Sequence, residues 1–215
     1  MNQTVEFLFD VGSPYTYLAY HQLPKIAQAH GAEIAWTPVL LGGIFQATGN
    51  ASPAEVPAKG RYSNTDLQRW AKTYGFPIQM NPHFPINTLP LMRGAVAMQM
   101  RGEEELHRYL RTIFSAMFGK PRNLNLPTEI GAVLAQAGFD PIEFMALISE
   151  QSVKDRLKEN TAAAVARGVF GAPTFFVGEE MFWGQDRLEF VADALALTRS
   201  AQTHGLQLGA GRESH

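Results

Sequence analysis

Apolar positions along this chain follow two rhythms. Near both ends they form short runs, and between these they recur every three or four residues. Val5-Glu6-Phe7-Leu8-Phe9-Asp10-Val11 reads as a strand over 5–11. A helix over 14–30 follows, opened by Ser13 and Pro14 and closed by Gly31. Pro24 inside it predicts a kink or break near Leu23. Ala32-Glu33-Ile34-Ala35-Trp36-Thr37 is a second strand stopped by Pro38, so the opening is a βαβ unit with parallel strands and a right-handed crossover. From 41 to 64, Gly42-Gly43, Gly49-Asn50, Pro53, Pro57 and Gly60 interrupt any periodicity. That stretch is expected to be a binding loop or lid with at most a short helix over 44–46. A helix over 65–73 turns Leu67, Trp70, Ala71 and Tyr74 inward, and 81–88 is a proline-rich connector. Helices then follow over 89–101, 103–116, 127–137, 141–149 and 152–167. The fourth of these has Asp140 as cap, Pro141 at its first position and Glu143 three residues after the cap. Short runs return at Thr174-Phe175-Phe176-Val177 and Met181-Phe182-Trp183, a hairpin through Gly178-Glu179-Glu180, before a closing helix over 185–197. Beyond Thr198 the chain is polar and glycine-rich and is expected to fray.

This order predicts an α/β protein: a thioredoxin-like fold with a mostly helical inserted domain. Residues 1–40 and 152–200 form the discontinuous thioredoxin-like domain, 41–151 the insertion, and 201–215 a flexible tail. Two independent domains in series would leave a two-strand N-terminal unit unable to bury its sheet.

Composition narrows the function. With 46% of its 215 residues hydrophobic and 18% charged, the chain can bury a proper core. Its net charge of -2 comes with no basic block, which argues against nucleic acid as a partner. No apolar run is long enough to span a membrane. The start, Met1-Asn2-Gln3-Thr4-Val5-Glu6, has neither a basic region nor a cleavable apolar segment, which points to the cytoplasm. There is no cysteine. Disulfides, thiolate ligands and Cys-x-x-Cys redox chemistry are therefore excluded, and any reacting sulfur has to be borrowed.

Two stretches carry candidate chemistry. Ser13-Pro14 places a helix N-terminus just beyond a strand end, where unpaired N–H groups and the helix dipole can hold an anion. Ordinary capping explains the same pair. Gly168-Val169-Phe170-Gly171-Ala172-Pro173-Thr174 puts a proline immediately before a strand. In a thioredoxin-like fold that bond is expected to be cis, with the Ala172 main chain turned outward beside Ser13 to pair with an extended peptide. Asp186, near the start of the last helix, fits a cap as well as a partner for a ligand ammonium. The remaining ionisable groups offer little. Glu104 and His107 have i,i+3 spacing but lack the second pair a carboxylate-bridged centre needs. His21, His30 and His83 have no ligand cluster around them, so no metal is expected. Ser13 has no Gly-x-Ser-x-Gly elbow and no recognisable base.

In order and at these spacings, Phe9-Asp10-Val11-Gly12-Ser13-Pro14-Tyr15-Thr16-Tyr17-Leu18, Gly49-Asn50, Pro57-Ala58-Lys59-Gly60-Arg61-Tyr62, Asp66-Leu67-Gln68-Arg69-Trp70-Ala71, Gly168 to Phe175 and Phe182-Trp183-Gly184-Gln185-Asp186-Arg187 are a specific set. On them the chain resembles the 2-hydroxychromene-2-carboxylate isomerases and the allied kappa-class glutathione transferases, of the DsbA-like thioredoxin superfamily. The likeness runs from about residue 5 to 197. It implies glutathione as cofactor, with Ser13 as the catalytic residue donating a hydrogen bond to the glutathione sulfur. Asn50 and Lys59 match contacts to the tripeptide, Ala172 with Pro173 the main-chain grip on its cysteinyl part, and Gln185 with Asp186 its γ-glutamyl end. The implied reaction interconverts 2-hydroxychromene-2-carboxylate and trans-o-hydroxybenzylidenepyruvate in aromatic-compound breakdown, by addition and expulsion of glutathione thiolate. A small aromatic 2-oxo acid or chromene carboxylate is the implied partner, and a homodimer the implied assembly. Tyr15, Phe45, Phe84, Leu89 and Trp183 are candidates to line the substrate groove, and Arg61, Asn87 and Arg93 to hold a substrate carboxylate. A kappa-type transferase that releases its adduct, and a non-enzymatic thioredoxin-fold binding protein, are the alternatives. The functional reading requires residues 171–173 beside Ser13 and a Ser13 not buried in packing.

Overall fold

The computed structural model describes residues 3–198; the expected tail over 201–215 lies outside the described residues. Strand β1 (Gln3–Phe9) lies second in a four-stranded sheet, with β2 (Ala32–Pro38) at one edge and β3 (Thr174–Val177) and β4 (Glu180–Trp183) on the other side, in the order β2-β1-β3-β4. β1 pairs parallel with β2 from Gln3 against Ala32 to Phe9 against Pro38, and antiparallel with β3 from Val5 against Val177 to Leu8 against Thr174. Residues from both ends of the chain thus share one sheet, the thioredoxin-like arrangement predicted from the element order.

The unbroken apolar run Phe7-Leu8-Phe9 reflects a strand buried on both faces. Val5, Phe7 and Phe9 lie on one face, where Phe7 stacks on Phe175 at 5.3 Å and meets Trp36 edge-on. Leu8 lies on the other with Val39, Ile44, Ala164, Val169 and Phe176. Helix α1 (Pro14–His30) connects β1 to β2 and runs through Pro24 without the predicted break, ending where Gly31 adopts φ 65°. At such a φ glycine costs least.

The stretch over 41–64 is corrected most. It contains helix α2 (Leu41–Thr48), a single turn at Pro53–Glu55, and the beginning of α3 (Pro57–Tyr74). Of the glycines read as breakers, Gly43 is closely packed, Gly60 makes ordinary contact and Gly42 has open space beside it. A Cβ on Gly43 would lie 3.3 Å from Thr161 Cγ2, and one on Gly60 3.5 Å from Ala54 Cα. Tertiary packing here outweighs helix propensity. Gly49, at φ 72°, does end a helix.

Helices α4 (Leu89–Arg101), α5 (Glu103–Phe114), α6 (Pro127–Gln136), α7 (Pro141–Leu147) and α8 (Gln151–Ala166) match the predicted series within a few residues. α5 stops earlier than expected, in a wider turn over Ser115–Gly119. Asp140 caps α7 through the N–H groups of Ile142 and Glu143, whereas the Glu143 carboxylate pairs with Arg101 at 2.6 Å. His107 faces Glu103 at 3.3 Å, one position from the Glu104 pairing read from the sequence. After β4 a tight turn at Gln185–Arg187 leads into α9 over 188–198. Among the described residues no single helix is long and apolar enough to cross a membrane.

α4 and α5 cross at Gly94, against Tyr109 and Phe144; the Tyr109 hydroxyl donates to the Leu91 carbonyl at 2.8 Å. A Cβ on Gly94 would overlap both buried rings, so Gly94→Ala is expected to destabilise by overpacking, by about 1–3 kcal/mol. A lowered urea midpoint at unchanged m-value would show it.

Candidate active site

Ser13 is the N-cap of α1. Its extended backbone, φ -85° and ψ 118°, lets Oγ accept the Thr16 N–H at 3.2 Å, while Pro14 fills the first helical position. The hydroxyl proton goes elsewhere: Oγ donates to the Ala172 carbonyl at 3.0 Å, across 159 positions of sequence. The Ala172–Pro173 peptide is cis, as expected for this position in such a fold. A second cis bond, Phe84–Pro85, was not foreseen. Residues 171–173 are therefore beside Ser13, as required. The other requirement is not met in the form stated: Ser13 is only 6% exposed. The same two hydrogen bonds that place the hydroxyl draw it inward, and both of its polar functions are in use.

The segment before β3 is fixed from several sides. Gly171 lies so close to the Trp183 indole that a Cβ there would approach Nε1 to 2.6 Å, and Phe170 packs on the same indole at 4.8 Å. Thr174 Oγ1 donates to the Gly171 carbonyl at 2.8 Å, and the Gly184 N–H to the Pro173 carbonyl at 3.0 Å. Asn50, just past α2, donates from Nδ2 to the Phe170 carbonyl at 2.8 Å, so its side chain braces the segment. Among the described residues the half-buried Ala172 N–H donates to nothing. Trp183 remains 49% exposed beside it.

The other predicted residues take different positions. Lys59 is exposed in the first turn of α3, without an acidic partner among the described residues. Gln185 is buried, and its side-chain carbonyl accepts the Tyr74 hydroxyl at 2.6 Å, leaving only its amide group to offer. Asp186 is exposed and accepts from Arg187 at 2.7 Å. Arg93, the fifth residue of α4, has a buried Nε with no hydrogen-bond partner among the described residues.

Sequence reasoning placed Tyr15 only as a candidate to line the substrate groove, and gave Tyr74 and Asp10 no part in the site. Tyr15, in the first turn of α1, donates to Asp66 of α3 at 3.1 Å. Its hydroxyl is pushed up to about 12 by burial, eased by a bond from Ser63, then raised further by Asp66 and Asp186. Tyr74 is likewise pushed up to about 12 by burial, then by Asp186 and Glu189. Asp66 and Asp186 thus bound one acidic corner beside the start of α1, suited to an ammonium. Asp10, completely buried at the end of β1, was quoted only as part of a motif. An acid inside an apolar strand run was the available signal. A groove of about 780 Å³ lies along α1 between Pro24, Trp36 and Arg111, and Ser13 does not line it.

The DsbA-like thioredoxin domain family model matches residues 4–196. The chain is 34% identical over 193 residues to the 2-hydroxychromene-2-carboxylate isomerase of Pseudomonas putida, covering 89% of this chain and 93% of that one. It is 28% identical over 202 residues to glutathione S-transferase kappa 1 of Rattus norvegicus, covering 88% and 89% respectively. A solved 2-hydroxychromene-2-carboxylate isomerase superposes with a TM-score of 0.78 at 31% identity, over 94% of this chain and 98% of that one.

Because Asp186 contributes to the field at both tyrosines, Asp186→Asn should lower the pKa of Tyr15 and Tyr74 together, since losing a nearby negative charge favours phenolate. Tyr109, held high by burial alone, should not move. Residue-resolved tyrosine titration by NMR checks both.

Proposed function

The chain belongs to the DsbA-like thioredoxin family, and from that premise we propose that it is a glutathione-dependent isomerase interconverting 2-hydroxychromene-2-carboxylate and trans-o-hydroxybenzylidenepyruvate. One observation carries the reading: a serine hydroxyl, bonded to the Ala172 carbonyl at 3.0 Å, occupies the helix start in a chain without cysteine. When bound, glutathione supplies the thiolate that adds to and leaves the substrate carbon, so that a double bond can turn as a single one.

The residues present fit such a peptide. Among the described residues the Ala172 N–H has no acceptor, and the Ala172 carbonyl is held by the Ser13 proton alone. An incoming peptide N–H can take that carbonyl in place of Ser13. Rotation about the Ser13 Cβ–Oγ bond then turns the released proton toward a sulfur, with no movement of the heavy atoms. Oγ goes on accepting from Thr16, which polarises the O–H further. That donor and the positive end of α1 favour an anionic sulfur over a neutral one. Burial strengthens both effects, because less water competes. The 6% exposure of Ser13 is therefore consistent with a donor uncovered by exchange. Lys59 would hold a glutathione carboxylate and Asp186 its ammonium, with the Gln185 amide nearby. Arg93, with its unbonded Nε, would hold the substrate carboxylate.

A kappa-type transferase using the same site is the second reading, supported by the likeness to the rat kappa enzyme. The two differ in whether a stable adduct leaves the enzyme.

Isomerisation followed by absorbance should stop when glutathione is omitted and resume without its net consumption when it is returned. Ser13→Ala is expected to lose about 10²-fold or more in turnover, by analogy with removal of one donor from a developing anion. Its fold should survive the loss of a cap worth about 1 kcal/mol. Undiminished activity without glutathione overturns the mechanism, and an accumulating adduct transfers the assignment to the transferase.

A further inference from the structure

Asp10 has no part in the chemistry above, yet it is completely buried and accepts three hydrogen bonds on its carboxylate. Each comes from the start of a different helix. Oδ1 takes the Gly12 N–H at 2.8 Å, in the turn that leads into α1. Oδ2 takes the Leu41 N–H at 2.8 Å, the first residue of α2, whose own N-cap Leu40 has no side-chain acceptor. Oδ2 also takes the Thr88 hydroxyl at 3.1 Å. Thr88 is the N-cap of α4 but makes no capping bond to its own helix; Asn87 Oδ1 accepts the Leu89 N–H at 3.1 Å instead. A threonine that leaves its local role to its neighbour and reaches back 78 positions is serving the junction.

The same peptide is held sterically. A Cβ on Gly12 would lie 2.6 Å from Thr88 Cγ2 and 3.3 Å from Asp10 Oδ1, so the Thr88 methyl sits against Gly12. The next residue is Ser13, whose N–H donates to the Asp10 carbonyl at 3.1 Å. Gly12 and Ser13 are thus tied through main chain and side chain to one residue.

We propose that Asp10 is a positioning residue for the Ser13 site: its carboxylate, shared by the starts of α1, α2 and α4, fixes the Gly12–Ser13 turn and so sets how strongly a sulfur is held there as thiolate. Its consequence for catalysis rests on the glutathione reading; the positioning itself does not. Burial pushes the Asp10 carboxyl upward and its three hydrogen bonds pull it back, and no charged side chain enters that balance. Two N–H groups and one hydroxyl, from the starts of three helices, donate to one oxygen pair and suit an ionised carboxylate. Positioning and bare charge then act in opposite directions. Removing a buried anion lowers the pKa of a neighbouring thiol, whereas loosening the turn that aims the donors at it raises that pKa.

The test uses the full chain carrying Ser13→Cys, which puts a reporter thiol at the site, with its pKa read from the pH dependence of alkylation. The introduced thiol should titrate below the ordinary cysteine value of about 8.5. Adding Asp10→Asn or Thr88→Val should raise it by about one unit, and adding Thr88→Ser, which keeps the hydroxyl, should leave it low. If Asp10→Asn does not fold, the Thr88→Val and Thr88→Ser pair decides. An unchanged or lowered value with Thr88→Val, a lowered value with Asp10→Asn, or Thr88→Ser shifted as far as Thr88→Val overturns the proposal. Thiolate absorbance of glutathione added to the wild-type chain is read separately. Its absence counts against the glutathione reading and leaves the reporter comparison standing.

Discussion

A helix start has backbone N–H groups that nothing within the helix can satisfy. Around the end of β1 this protein brings three such starts together about the buried Asp10 side chain. The fold answers with two acceptors that differ in character. Asp10 is an internal anion serving Gly12, Leu41 and the Thr88 hydroxyl. Ser13 is a neutral acceptor for Thr16 that gives its own proton to the Ala172 carbonyl. The first holds the junction together, and the second leaves one group there whose bonding can change.

What that proton meets is decided from the far end of the chain. The sheet sets β3 antiparallel against β1, with Leu8 opposite Thr174, so the residues preceding β3 arrive beside the residues following β1. Ala172 consequently faces Ser13 because of strand register, and its carbonyl accepts the hydroxyl. Phe170, Gly171, Trp183 and Asn50 then hold the segment from behind. A main-chain edge fixed in this way, with one donor free and one acceptor exchangeable, is suited to an extended peptide. A cysteine-free chain that needs sulfur chemistry has reason to keep such an edge.

The charges around this edge are separated. Tyr15 and Tyr74 stand over the acidic corner formed by Asp66 and Asp186, and their hydroxyls stay protonated as donors across the ordinary pH range. Lys59 and Arg93 lie on other elements, α3 and α4. Under the proposed function, a zwitterionic peptide would meet a different partner at each end, so electrostatics would help to orient it.

The sequence by itself determined whatever depends on neighbours in the chain. Ser13-Pro14, Asp140-Pro141 and Gly31 mark helix ends because caps act within three or four residues, and the hairpin at Gly178 lies between two short apolar runs. The absence of cysteine and the pairing of Ser13 with Ala172 were legible too, the second through family motifs. Tertiary structure alone decided the rest. Gly43 resembles a breaker until Thr161 is seen packed on it. Glu143 resembles a capping partner until Arg101 lies within reach. Thr88 reads as the end of a proline-rich connector, and its bond to Asp10 exists only because the fold brings two remote segments together. Close approach and burial depend on which surfaces meet, and no local pattern of residues records that.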